Sequence, residues 1–172
     1  KTAIVTGAAS GIGLSIARHL ADQGANVMCA DSDEAKLMDE LGESPDEGEV
    51  QVFAGDLRQR LTIANLVSAT IDAFDQVDIL VNAARQFLPT DPLDADDTSV
   101  ESLWEQNVMT AMQLSQQVAR RMIKQAESQS EGQVGSIINL SSIAAQRHQP
   151  DMMGYAIASA AVQQMTRSLA LV

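Results

Sequence analysis

"TGAASGIG", Thr6 to Gly13, is the stretch that decides the fold. It follows the apolar run "TAIVT" and opens "GIGLSIARHLADQG", whose apolar residues recur at helical spacing, so a short strand turns directly into a helix. Gly7 permits the tight turn, Gly11 lets the backbone come close to a ligand, and Gly13 lets the helix pack against the strand. The amides around Ser10, Gly11, Ile12 and Gly13 then face an anion at the positive end of the helix, and a diphosphate suits such a mouth. A glycine-rich turn holding nothing is the plainer reading, because glycine spacing alone is weak evidence. Asp31 tells against it. It closes the second strand, "NVMCAD", 18 residues after Gly13. A carboxylate there can accept hydrogen bonds from the adenosine ribose hydroxyls and repel a 2′-phosphate. Positions 10, 32 and 33 carry no Lys or Arg. NAD is therefore expected in preference to NADP.

Working outward, short apolar runs alternate with longer helical patterns. "TAIVT", "NVMCAD", "VQVFAGD", "VDILVNA" and "GSIINLSS" read as strands buried on both faces. Between them "GIGLSIARHLADQG", "DEAKLMDELG", "QRLTIANLVSATIDAF" and a long segment from about Thr98 to Gln125 read as helices, and another pattern runs from Tyr155 onward. This β-α-β-α succession predicts an α/β fold: a doubly wound parallel sheet of about five strands with helices on both faces. "GESPDEGE" and "ESQSEGQ" read as surface loops. No repeat or internal boundary stands out, so residues 1–172 are expected to form one NAD-binding domain. The last helical pattern runs into "LALV" without a glycine, proline or polar cap, and Lys1 opens directly on a strand, so the chain reads as truncated, above all at its C-terminus.

Composition narrows the classes of function. With 23 acidic against 11 basic residues the net charge is −12, which repels a nucleic-acid backbone, and no local basic patch offsets it. No apolar run approaches the roughly 20 residues that span a bilayer, and the amino end lacks a signal-peptide pattern, so no membrane partner is expected. The single cysteine, Cys29, lies within "ANVMCA" and reads as a core residue, neither disulfide nor metal ligand, consistent with a reducing, cytoplasmic setting. No metal site is expected.

The spacing Gly-x3-Gly-x-Gly, together with "VNAAR", "INLSS" and "GYAIAS", resembles the short-chain dehydrogenase/reductase family from Thr2 to about Ala170. The resemblance implies the Rossmann-like strand order 3-2-1-4-5, a nicotinamide cofactor, a small carbonyl or alcohol substrate, and homo-oligomers, dimeric or tetrameric, built on the long helix and the last one. It implies that Asp56 and Leu57 contact adenine, a reading preferred to Asp56 as a cap for the following helix. Asn82, Ala83 and Ala84 match the family's Asn-Ala-Gly beside the cofactor, with alanine in the glycine position. Arg85 next to them reads as a solvated loop residue or, less often, a substrate ligand. Asn107 matches the helix asparagine that distorts the helix and holds a relay water. Ser142, 13 residues before Tyr155, matches the serine that binds the substrate oxygen, and Tyr155, the only tyrosine in the chain, matches the general acid/base.

The family then places a lysine four residues after the tyrosine, where it holds the nicotinamide ribose and favours phenolate; here that position is Ser159. A unit charge about 4 Å away, at an effective dielectric near 20, contributes on the order of 4 kcal/mol. Alcohol oxidation, which needs the base form of the tyrosine, should suffer most from its loss, and carbonyl reduction less. The remaining lysines, Lys1, Lys36 and Lys124, fall elsewhere in the pattern; Arg147 and His148 lie in the loop before Tyr155, and the oxidised nicotinamide carries its own positive charge. Three readings stay open: an active dehydrogenase, a subunit that binds NAD without turning over, and a variant site in an ordinary enzyme.

Overall fold

The computed structural model describes residues 1–42, 49–127, 134–147 and 149–171. Residues 43–48, 128–133, His148 and Val172 lie outside the described residues, and with them most of the two predicted surface loops. The chain divides into two compact units.

The first unit comprises Lys1–Ala84 and Gln113–Ile138. It contains β1 (Thr2–Thr6), α1 (Gly11–Asp22), β2 (Asn26–Asp31), α2 (Glu34–Leu41), β3 (Val50–Ala54), α3 (Arg60–Phe74) and β4 (Ile79–Asn82), with most of α5 (Thr110–Ala126) and of β5 (Ser136–Asn139). The sheet runs β3-β2-β1-β4-β5, the predicted order. All five residues of β1 are buried, as expected of a central parallel strand covered on both faces. Its register pairs Thr6 with Ala30 on one side and with Asn82 on the other, which brings the ends of β1, β2 and β4 level beneath the glycine turn. Ile4, Leu80, Val77, Ile63, Leu66 and Leu114, each with 0% exposure, form the core between sheet and helices. Full burial of such side chains stabilises by about 1.5–3 kcal/mol each. Cys29 belongs to this interior, and burial pushes its thiol up to about 12.

Three strands stop earlier than their patterns predict, β4 by a single residue at Asn82 and β3 and β5 by more. β3 ends at Ala54 because Asp56 turns its carboxylate back to accept from the Arg58 backbone N–H at 3.0 Å. β5 ends at Asn139 because the hydroxyls of Ser141 and Ser142 engage backbone groups outside the sheet.

The second unit comprises Arg85–Met112 and Asn139–Val172. It holds α4 (Ser99–Leu103), a π-helical turn (Trp104–Met109), a 3-10 turn (Ile143–Ala145) and α6 (Met153–Leu169). Leu103, Val108, Ala158 and Val162 make its core, with Tyr155 and Leu88 packed against them. Among the described residues no helix is long and apolar enough to cross a membrane, and no group of three or more His, Cys, Asp or Glu could hold a metal ion.

Candidate active site

The glycine turn has the geometry that its sequence demands. Gly7 lies at φ +69°, and a Cβ built there would stand 2.8 Å from the Ala84 backbone, so no other residue fits without moving the chain. A Cβ on Gly13 would meet the Gly7 carbonyl oxygen at 2.1 Å, which is how closely helix and turn are packed. A Cβ on Gly11 would meet nothing within 4 Å, and Ser10, Gly11 and Ile12 are exposed. Ser10 stands at the N-cap of α1 without a side-chain capping bond, and the first turn carries no acidic residue. The positive end of this helix is thus open and unneutralised, which is the state that receives an anion.

Asp31 faces that mouth. Its Oδ2 accepts from the Ala9 N–H and its Oδ1 from the Asp33 N–H, both at 3.1 Å. Each carboxylate oxygen has a second lone pair to offer, so these bonds fix the group without exhausting it. Asp56 does not cap α3, whose N-cap is Gln59; its carboxylate instead grips the Arg58 guanidinium, with Nε at 2.9 Å and Nη2 at 2.7 Å. That pairing holds the Asp56 carboxyl below its ordinary range. Leu57 turns its side chain into the core, 5% exposed, so a contact with a ligand would fall to its backbone.

After β4, the buried Asn82 donates from Nδ2 to the Ser115 hydroxyl at 3.0 Å. The Ala83 and Ala84 amides both donate to Thr6 Oγ1 at 3.1 Å. Thr6 is therefore the staple that holds this turn beside Gly7, a role that one threonine at the end of a strand does not announce in sequence.

In the second unit, Asn107 sits in the π-helical turn and is buried. Its side-chain amide clasps the Gln86 backbone in both directions, accepting its N–H and donating to its carbonyl, each at 2.8 Å. The expected distortion of the helix is present. Thr110 accommodates it, its hydroxyl donating to the Glu105 carbonyl five residues back at 3.1 Å. The side chain of Asn107 thus fixes the loop that carries Arg85.

Of the serine pair, Ser141 donates its hydroxyl to the Ser159 carbonyl at 3.0 Å, whereas Ser142 accepts from the Ala144 N–H at 3.2 Å. Ser142 Oγ keeps its proton to give, the one a substrate oxygen would accept. Tyr155 stands in the first turn of α6, half-buried, with the Phe87 ring edge-on at 5.5 Å. Its place depends on Thr90, whose Oγ1 accepts from the Gly154 N–H at 3.1 Å and from the Ser99 hydroxyl at 2.8 Å. A Cβ on Gly154 would approach that same oxygen to 2.8 Å, so the start of α6 is tightly seated. Ser159, one turn further on, is buried.

The residue that sequence reasoning undervalued is Arg85. Its Nη1 donates to the Tyr155 hydroxyl at 2.9 Å, and its Nη2 donates to the Leu140 carbonyl. Arg147 is exposed, and Lys1 and Lys36 are paired with Asp78 and Asp33.

Comparison with known proteins agrees with this architecture. The family model described as short chain dehydrogenase matches residues 1–171. An uncharacterized oxidoreductase of Staphylococcus saprophyticus is 32% identical over 171 residues, covering 98% of this chain and 70% of that protein. A diacetyl reductase, (S)-acetoin forming, of Staphylococcus epidermidis is 30% identical, covering 99% of this chain and 64% of that protein. Among solved structures, the 3-ketoacyl-(acyl-carrier-protein) reductase from Brucella melitensis complexed with NADH superimposes with a TM-score of 0.88 at 27% identity, covering 99% of this chain and 69% of that one. A family match along nearly the whole sequence, the strand order 3-2-1-4-5 and the glycine turn at the mouth of α1 together show that the chain belongs to the short-chain dehydrogenase/reductase family of oxidoreductases.

Proposed function

We propose that the chain is an NAD-dependent oxidoreductase that transfers hydride between the nicotinamide and a small carbonyl or alcohol substrate. The observation that carries this reading is the open, uncapped mouth of α1 with the Asp31 carboxylate bonded to the Ala9 amide of the same turn. Gly7, Ser10, Gly11, Ile12 and Gly13 would receive the diphosphate on backbone amides. Asp31 would take the ribose hydroxyls and disfavour a 2′-phosphate, which selects NAD over NADP. Asp56, the Leu57 backbone and the Asn82–Ala84 turn would line the rest of the dinucleotide. When bound, the cofactor supplies or accepts the hydride.

The chain's own residues handle the proton. Ser142 donates a hydrogen bond to the substrate oxygen and so fixes it. In reduction Tyr155 gives its hydroxyl proton to that oxygen as the carbonyl becomes an alcohol, and in oxidation it takes the proton back. Asn107, by way of the distorted turn, would hold the water that returns a proton to Tyr155. The family relationship further supports a homo-oligomer working in the cytoplasm on a small molecule, without nucleic acid or membrane.

The test uses diacetyl, the substrate named for one relative, as the probe and follows NADH oxidation. Turnover by the wild type and a loss of roughly 10²–10⁴-fold in kcat for Tyr155→Phe are expected, the range of general acid–base catalysis. Equal rates in the two proteins would refute the assignment. NADH binding without turnover on diacetyl or any other short ketone would favour the non-catalytic subunit.

A further inference from the structure

Ser159 leaves α6 without a cation one turn beyond Tyr155, yet the phenol is not without one. We propose that Arg85, from the loop after β4, takes the place of that missing cation and acts as the positioning residue for Tyr155. The inference rests on the dehydrogenase reading above and adds to it a residue seventy positions away from the tyrosine in sequence.

The geometry carries the argument. A guanidinium has donors and no acceptor. The 2.9 Å contact between Arg85 Nη1 and the Tyr155 hydroxyl therefore runs one way: the phenol oxygen accepts, and its own proton is directed elsewhere, free for a substrate oxygen. Serine or water in the same place could compete for that proton; arginine cannot. Charge adds to direction, since a fixed positive group faces the negative charge that develops on the phenol oxygen as the proton leaves.

The guanidinium is itself held. Nη2 donates to the Leu140 carbonyl at the end of β5, so the planar fork is anchored at one tine while the other addresses the phenol. The loop beneath it is fixed by Asn107, which bonds both backbone groups of Gln86, the next residue. Phe87, one residue further, packs edge-on against the tyrosine ring. Three consecutive loop residues thus bear on Tyr155 or on its support. A solvated loop arginine would show none of this, and Arg85 is part-buried in both of its bonds. Ser159, buried and with its carbonyl accepting the Ser141 hydroxyl, serves the packing of α6 and carries no charge.

Because Tyr155 is the only tyrosine, its hydrogen-bond state can be read spectroscopically without any substrate. The Raman Fermi doublet of tyrosine has an intensity ratio that rises when the phenol oxygen accepts from a strong donor and falls when the hydroxyl mainly donates. The wild type should show the high ratio, Arg85→Met a lower one and Arg85→Lys a high one again, with Tyr155→Phe as the blank. A low ratio in the wild type, or the same ratio in wild type and Arg85→Met, overturns the proposal, and the wild-type spectrum decides even if Arg85→Met does not fold. With NADH and diacetyl, Arg85→Met should lose roughly 10- to 100-fold in kcat, the worth of one charge-assisted bond, with KM little changed. Adding Ser159→Lys to Arg85→Met should recover most of that loss. No recovery, or an Arg85→Met enzyme as fast as the wild type or faster, also overturns it. Failure of the wild type to oxidise NADH would count against the dehydrogenase reading, while the Raman ratio still decides the role of Arg85.

Discussion

Replacing Gly13 by alanine sets two rules against each other. Gly13 lies in the first turn of α1, and glycine in a helix is ordinarily less favourable than alanine by roughly 0.5–1 kcal/mol, so propensity alone predicts a gain. The structure predicts a loss. The new Cβ would stand 2.1 Å from the Gly7 carbonyl oxygen, 2.7 Å from its carbon and 3.1 Å from the Thr6 oxygen. All three are backbone atoms, so no side-chain rotation relieves the contact; helix and turn must separate by about an ångström. Overpacking of this kind costs about 1–3 kcal/mol, occasionally more. Here, with backbone on one side of the clash, the upper end applies. Subtracting about 1 kcal/mol of helix propensity leaves a net destabilisation of about 2 kcal/mol, or roughly 4–8 °C in Tm for a chain of this size. On the proposed function NAD should bind more weakly as well, because the displacement falls on the turn whose amides would receive the diphosphate. A thermal melt followed by circular dichroism reads the first effect and titration calorimetry the second. A Tm equal to or above that of the wild type would refute the claim that the turn and α1 are packed without room for a methyl group.

Asp31→Ala should weaken NAD about 100-fold, the loss of two charge-assisted bonds at about 1.5 kcal/mol each, and should narrow the gap between NAD and NADP; unchanged affinity in calorimetry would speak against the carboxylate's role. Thr90→Val strands the Ser99 hydroxyl and the Gly154 N–H, both buried, and should cost about 2–4 kcal/mol in urea denaturation; a cost under about 0.5 kcal/mol would show that Thr90 does not seat α6. The Asp56 carboxyl is lowered chiefly by its bond to Arg58, so that pair's stabilisation is present above the ordinary carboxylate range and disappears as pH falls through the lowered value. Arg58→Ala should therefore be less stable than the wild type near neutral pH and converge with it on acidification, and a gap that is constant with pH would contradict this.

How much could be read from the sequence follows from where the information lies. Strands buried on both faces produce continuous apolar runs, and the helices between them keep a clear period, so the five strands are legible in the sequence, whereas their order follows from the family resemblance and not from hydropathy. The glycine turn was legible because each of its glycines answers to a local backbone requirement. Strand ends were less so: β3 and β5 stop where Asp56, Ser141 and Ser142 divert hydrogen bonds, and nothing in hydropathy marks that diversion. On sequence alone Asp56 suits an adenine contact or a cap for α3, and no pattern marks its bond to Arg58, two residues on. Around the tyrosine the sequence was legible along the chain but not across it. Tyr155, Ser142 and Asn107 stand at recognisable spacings, whereas Thr6, Thr90 and Arg85 act through partners 64 to 78 residues away. The cation that reaches Tyr155 is therefore the arginine that follows "VNAA", distant in sequence from the lysines and from the loop before the tyrosine.

Binding of NAD at the mouth of α1 underlies every role proposed above, and calorimetric titration of the wild-type chain with NAD and with NADP measures it. Saturable binding of one NAD per chain is expected, with NADP at least about tenfold weaker because its 2′-phosphate would meet the Asp31 carboxylate. No saturable binding of NAD, or tighter binding of NADP, would contradict this expectation.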